Sequence, residues 1–158
     1  MDSLSKYFEK ERFESGIKRM IRSVQSEGQG KRLNSLLKIE LIQCNEQERS
    51  VTFEFPIAEW QLNSNDVLHG GMSASIMDLA LGLPANYIAL EKGAVFAPTI
   101  NMNVNYLLPV KLSDQLVVTT KIVSSGTSVI TVTGEAKLKN SGAVAIAATA
   151  TYKVLMPR

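Results

Sequence analysis

Asp78 is the sole charge between Gly70 and Leu90, and it is flanked by Ile76, Met77, Leu79, Ala80 and Leu81. A carboxylate among apolar residues is costly to bury unless it is paired, hydrogen-bonded or put to use. Asp78 is therefore either a working acid/base, or a residue that faces a gap to solvent or caps a neighbouring element. Eight residues earlier stands His69-Gly70-Gly71. Two glycines at the start of a helix leave the backbone unobstructed, and the first-turn N–H groups have no partner inside the helix. Together with the helix dipole they form a site for negative charge. A carbonyl oxygen turning into an oxyanion meets that description, so the pairing suits attack on an acyl carbon. Gly-Gly is also an ordinary turn signal. Spacing adds a constraint. At about 1.5 Å rise per residue, Gly70 and Asp78 stand roughly 12 Å apart along one helix. If both act on one carbonyl, the aspartate must come from a second copy whose helix runs antiparallel alongside.

Other chemistries are excluded by counting. The 158 residues contain one histidine, His69, and one cysteine, Cys44. One chain cannot build a multi-histidine or Cys-rich metal site or an intrachain disulfide, and a single cysteine points to a reducing compartment. The net charge of +2 leaves no nucleic-acid footprint, and its mild excess sits in the first 32 residues, with eight bases and five acids. No apolar run is long enough to span a bilayer, and Met1 to Lys10 lacks the apolar core of a signal peptide. A cytoplasmic protein with no membrane partner is the expectation.

The elements that would position these residues follow from periodicity. Phe13, Ile17, Met20, Ile21 and Val24 recur at helical spacing, with charges between them, until Gly28-Gln29-Gly30. Leu37, Ile39 and Leu41 predict one strand and Val51, Phe53 and Phe55 another, joined by the polar turn Asn45 to Glu48 and closed by Pro56. Residues 72–90 form an apolar, buried helix, with a kink or break expected near Gly82 because Pro84 follows, and a stop at Glu91-Lys92-Gly93. A β-branched, apolar run then predicts a strand at 116–123, and alternation predicts others near 100–105, 130–138 and 144–154. On the last, Ala148, Ala150, Tyr152 and Val154 share a face whose alanines let something bulky lie close. The order is helix, two strands, one helix, four strands, without βαβ alternation, which gives an α+β class with the helix laid across a curved antiparallel sheet. A helix apolar on most sides exceeds what one sheet face covers, and this again points to a second subunit.

Asn63-x5-His69-Gly70-Gly71-x6-Asp78, followed by Asn101-Met102-Asn103-Val104-Asn105-Tyr106-x2-Pro109, resembles the hot-dog-fold acyl-CoA thioesterases of the PaaI/thioesterase-superfamily-member-2 type over roughly residues 35–155. The resemblance implies a 35–158 hot-dog thioesterase domain behind a 1–34 N-terminal helical extension. It implies edge-to-edge homodimers, with dimers pairing into tetramers, and active sites at the dimer interface. Gly70 would polarise the thioester carbonyl, and Asp78 of the other subunit would activate water or attack directly. Asn63 would assist, His69 would hold the loop, and Thr99 would orient water. Gly71, Tyr106, Lys111 and the turn Ser124-Ser125-Gly126-Thr127-Ser128 would contact the CoA ester. No metal or cofactor is required, because a thioester is electrophilic and its thiolate leaves readily.

Two rival readings remain. An enoyl-thioester hydratase or dehydratase uses the same fold, but pairs a histidine with a carboxylate, and His69 reads better as a loop-fixing hydrogen bonder. A non-catalytic CoA-ester-binding module is the other. A DNA-binding regulator would need a helix-turn-helix, and residues 1–34 offer one good helix.

Overall fold

A computed structural model describes residues 3–158, with side chains from residue 12 onward. Met1 and Asp2, which begin both the 1–34 extension and the segment read for a signal peptide, lie outside the described residues. Helix α1 (Ser3–Ser26) buries Phe13, Ile17 and Ile21. It ends where Gly28 and Gln29 take left-handed φ values of 56° and 58°. A single helical turn, α2 (Leu33–Leu36), follows. Its buried Ser35 sets Oγ 2.7 Å from the carbonyl of Val24 and 2.9 Å from that of Glu27, covering backbone acceptors that the end of α1 leaves open.

The strands are β1 (Glu40–Asn45), β2 (Ser50–Pro56), β3 (Thr99–Tyr106), β4 (Gln115–Ser125), β5 (Val129–Leu138) and β6 (Val144–Lys153). They form one antiparallel sheet in the order β1-β2-β4-β5-β6-β3. Helix α3 (Gly70–Glu91) connects β2 to β3 by crossing the sheet, which carries β3 to the opposite edge. Val118, Val132, Ala148 and Ala150 point inward and are buried beneath it. The close approach is set by small residues. A Cβ on Gly134 would stand 3.4 Å from Leu81 and 3.5 Å from Met77, so the bulky element admitted by the alanines is α3 itself.

Two expectations need correction. Leu37 and Ile39 are fully buried but precede the strand, because α2 occupies 33–36 and Lys38 takes a left-handed φ of 50°. Their alternating burial comes from an irregular segment. Helix α3 does not break near Gly82 and runs on through Pro84. Proline removes one hydrogen bond, the one to Ala80. Ala80, Leu81, Leu83, Pro84 and Ala85 are all buried, and that packing outweighs the loss.

Part of the α3 surface assigned to a second subunit is covered by α1. Gly16 packs so tightly that a Cβ there would fall 2.2 Å from the ring of Tyr87, and Phe13 meets the same ring edge-on at 5.1 Å. The Arg12–Glu91 ion pair at 2.6 Å is solvent-exposed and worth at most about 1 kcal/mol, so ring packing docks the helix. Among the accessible positions of α3, Gly71, Ser75, Asp78, Gly82 and Asn86 form a stripe of small or polar residues at helical spacing. No helix among the described residues is long and apolar enough to cross a membrane.

Candidate active site

The first turn of α3 is built by the loop before it. The backbone of Asn63 pairs with Val67, Leu68 N–H donates to Val110, and His69 N–H donates to Gln61. Asn63 Oδ1 accepts from the N–H groups of Asn65 (2.9 Å) and Val67 (3.4 Å), so its carbonyl end closes the loop and its amide end makes no hydrogen bond among the described residues. His69 caps the helix, and its Nδ1 accepts from Gly71 N–H at 2.9 Å. That nitrogen therefore carries no proton, and the ring serves as a structural acceptor. Met72 and Ser73 N–H groups both donate to the His69 carbonyl. One first-turn donor is left over: Gly70 N–H makes no hydrogen bond to any described residue. It opens on a cavity of about 360 Å³ whose lining includes Ser73, Tyr106, Pro109 and Ile146. Tyr106 Oη donates to the Gly70 carbonyl at 3.3 Å. Lys111 bridges to Val67 beside this loop, and its side chain is exposed.

Asp78 lies over a different cavity, of about 410 Å³, between α1, α3 and the start of β3. The carboxylate is exposed, and Thr99 Oγ1 donates to its Oδ1 at 2.8 Å. This contact is positioned by a residue that the sequence did not reveal. Asn86 accepts from Ala97 N–H at 2.8 Å and donates to Ala97 O at 3.1 Å, which pins the backbone two residues before Thr99. The other carboxylate oxygen makes no hydrogen bond among the described residues. Met20, Val24, Leu79, Leu83 and Phe96 make much of the cavity apolar.

Tyr152 of β6 closes the floor of this cavity and is 1% exposed. Its hydroxyl finds no partner of good hydrogen-bond geometry among the described residues, although the Thr99 hydroxyl stands near enough to act on it, and a buried group left so costs up to about 1–3 kcal/mol. Burial, then the charge of Asp78, holds its pKa above the usual tyrosine range, with the Thr99 hydroxyl pulling weakly the other way. Cys44 is no rival nucleophile. Burial pushes its thiol up to about 11, with Glu14 adding to the rise and Lys18 opposing it, so the thiolate is absent near neutrality.

Gly70 and Asp78 of one chain thus face separate cavities that share no lining residue. The turn Ser124 to Ser128 is not gathered near Gly70 either. It lies at the far end of α3, where Lys92 Nζ donates to the carbonyls of Ser125 (2.7 Å) and Gly126 (2.8 Å). No group of three or more potential metal-ligating side chains exists among the described residues.

A family model described as the thioesterase superfamily matches residues 65–145, just over half of the chain. Human acyl-coenzyme A thioesterase 13 is 29% identical over 76 residues, 48% of this chain and 52% of that protein. The chain therefore spans about half the length of the curated relatives it matches. The structure of Escherichia coli PaaI superposes with a TM-score of 0.76 at 16% identity, covering 92% of this chain and 95% of that one. A Streptococcus mutans protein, solved bound to acetyl CoA, gives 0.65 at 22% identity, covering 77% and 91%. These superpositions establish the hot-dog fold.

Proposed function

Because the chain belongs to the thioesterase superfamily, we propose that it hydrolyses acyl-CoA thioesters at sites shared between two copies. The observation that carries this is the unpaired Gly70 N–H at the positive end of α3, with an exposed carboxylate two turns along the same helix. Those groups face separate cavities within one chain. An antiparallel partner helix along the stripe through Gly71, Ser75 and Asp78 would bring Gly70 of one copy to Asp78 of the other. The thioester carbonyl oxygen then accepts from Gly70 N–H. Asp78 of the partner subunit takes a proton from water as the water oxygen bonds to the carbonyl carbon. The tetrahedral oxyanion is stabilised by the Gly70 N–H and the helix dipole. When the carbonyl re-forms, the carbon–sulfur bond breaks and the thiolate recovers the proton from Asp78, giving free acid and CoA. Thr99 orients the carboxylate, and His69 fixes the cap that leaves Gly70 free.

The acyl chain fits the largely apolar cavity beside Asp78, and the CoA arm leaves past Tyr106 and Lys111. The acetyl CoA held by the Streptococcus mutans protein on the same fold supports this ligand class. The test is a panel of acyl-CoA esters with thiol detection. Asp78→Asn, at an exposed position, is expected to keep the fold and to lose about 100-fold or more in kcat. An unchanged rate refutes the assignment.

A further inference from the structure

Ser73 stands one turn into α3, on the same face as Gly70, and both line the cavity of about 360 Å³ at the start of that helix. The residue is only 4% exposed. A serine inside a helix can return its hydroxyl to the carbonyl four residues back, as Ser75 does to Gly71 at 2.8 Å. For Ser73 that carbonyl belongs to His69, and the N–H groups of Met72 (2.8 Å) and Ser73 (3.0 Å) already occupy it. Ser73 Oγ accordingly makes no hydrogen bond among the described residues. Nor is that oxygen sealed off, since Tyr152 Oη is the one fully buried side-chain polar atom among the described residues left without a partner. The hydroxyl therefore opens on the cavity that its residue lines. The neighbouring side chains there, Leu68, Pro109, Val110 and Ile146, are apolar, and the Tyr106 hydroxyl is engaged by the Gly70 carbonyl. Two donors are thus left over in one cavity, the Gly70 N–H and the Ser73 O–H.

Resting on the thioesterase reading, we propose that Ser73 Oγ is the second donor of the oxyanion site and so a catalytic residue. Three residues of helix separate the two donors by about 4.5 Å along the axis, and helical side chains lean toward the N-terminus, which brings Oγ back toward Gly70. That spacing lets both bracket a single oxygen. The thioester oxygen has two lone pairs, one for each donor. As the water oxygen bonds to the carbonyl carbon, the π electron pair moves onto this oxygen and both hydrogen bonds strengthen, with no proton leaving either donor. When the carbonyl re-forms, the pair returns and the carbon–sulfur bond breaks as before. The O–H turns freely about its Cβ–Oγ bond, so it follows the oxygen as the carbon becomes tetrahedral, whereas the Gly70 N–H is fixed by the helix. The apolar remainder of the lining keeps competing water away from both bonds.

The test is Ser73→Ala, which removes the hydroxyl and raises helix propensity. Its melting temperature is expected to equal or exceed that of wild type, with kcat down about tenfold or more and KM changed by less than about threefold. Two CoA derivatives that cannot be hydrolysed separate a grip on the carbonyl from a grip on the CoA arm: an S-(2-oxoalkyl) ketone, which keeps a carbonyl oxygen, and an S-alkyl thioether, which has none. Ser73→Ala is expected to weaken binding of the ketone about threefold or more and to leave the thioether unchanged. Ser73→Cys, of similar size and a weaker donor, is expected to fall between wild type and Ser73→Ala in kcat. Wild-type kcat in Ser73→Ala overturns the proposal. So does a raised KM with equal weakening of both derivatives, which marks a contact to the CoA arm. A parallel drop in melting temperature and activity also overturns it, because that marks a structural hydroxyl. If wild type hydrolyses thioesters, Asp78→Asn does not, and Ser73→Ala is normal, this inference alone fails. If wild type hydrolyses none of the panel, the functional reading fails and takes this with it.

Discussion

Gly70 occupies the first position of α3, preceded by His69 in an extended conformation (φ −60°, ψ 136°). Proline is well tolerated at that helical position, and the residue before a proline favours this backbone region. A Cβ at Gly70 meets Tyr106 at 3.7 Å, ordinary contact. Gly70→Pro therefore removes one N–H and little else. It is expected to keep its melting temperature within a few degrees and lose about 100-fold in kcat, whereas Gly70→Ala, which keeps the N–H, stays close to wild type in steady-state assays. Loss in both variants, or in neither, refutes the oxyanion role. At this scale, Asp78 and His69-Gly70-Gly71 could be found in the sequence because a charge in an apolar run and a glycine pair are local signals. Tyr152 was not. It reads as one more member of an apolar strand face, and its missing hydrogen bond exists only once β6 pairs with β3 beneath α3. Asn86 was hidden for the same reason, since its partner, Ala97, lies eleven residues away across a bend.

Among the elements, α1 does more than cover α3. Met20 and Val24 form one wall of the cavity beside Asp78, and the wall is held by Gln25 Nε2 donating to Ile39 O at 2.8 Å and by Ser35 beneath the last turn. On the proposed reading, α1 therefore bounds the acyl chain. Val24→Trp is expected to cut kcat/KM for long-chain esters by about tenfold or more while leaving acetyl-CoA hydrolysis within about twofold. A uniform change across the chain-length series would place the acyl group elsewhere. Periodicity gave α1 and most of the strands, since a half-buried sheet and a docked helix stamp their periods on the residues, whereas α3, apolar nearly all round, was legible from its run of helix formers and β4 from its β-branched residues. It misjudged the approach to β1, where a left-handed Lys38 mimics strand alternation. It also overrated Pro84, because propensity cannot weigh the burial that keeps α3 continuous.

For the molecule as a whole, the reading requires two copies. Among the described residues β3 ends the sheet with one side unpaired, and exposed Ile100, Tyr106 and Leu107 lie along or just beyond it. The roughly 12 Å between Gly70 and Asp78 along the helix was calculable from residue numbers, but which groups stay unpaired at each end was not. Complementation tests the arrangement. Asp78→Asn chains co-refolded with Gly70→Pro chains form hybrid dimers, each carrying one intact site. With random pairing the mixture recovers about a quarter of the wild-type rate from two nearly inert parents. Recovery absent from confirmed hybrids would place both groups in one chain.

Lys92 carries a consequence for anyone who alters this chain. Its ammonium ties the β4–β5 turn to the last turn of α3, so a peptide spliced between Ser124 and Ser128 would tug on the same rod whose opposite end presents Gly70. The hairpin tip at Asn140-Ser141-Gly142 has no such tether to α3, and Gly142 has open space around it. Epitopes, fluorophores or new termini belong there.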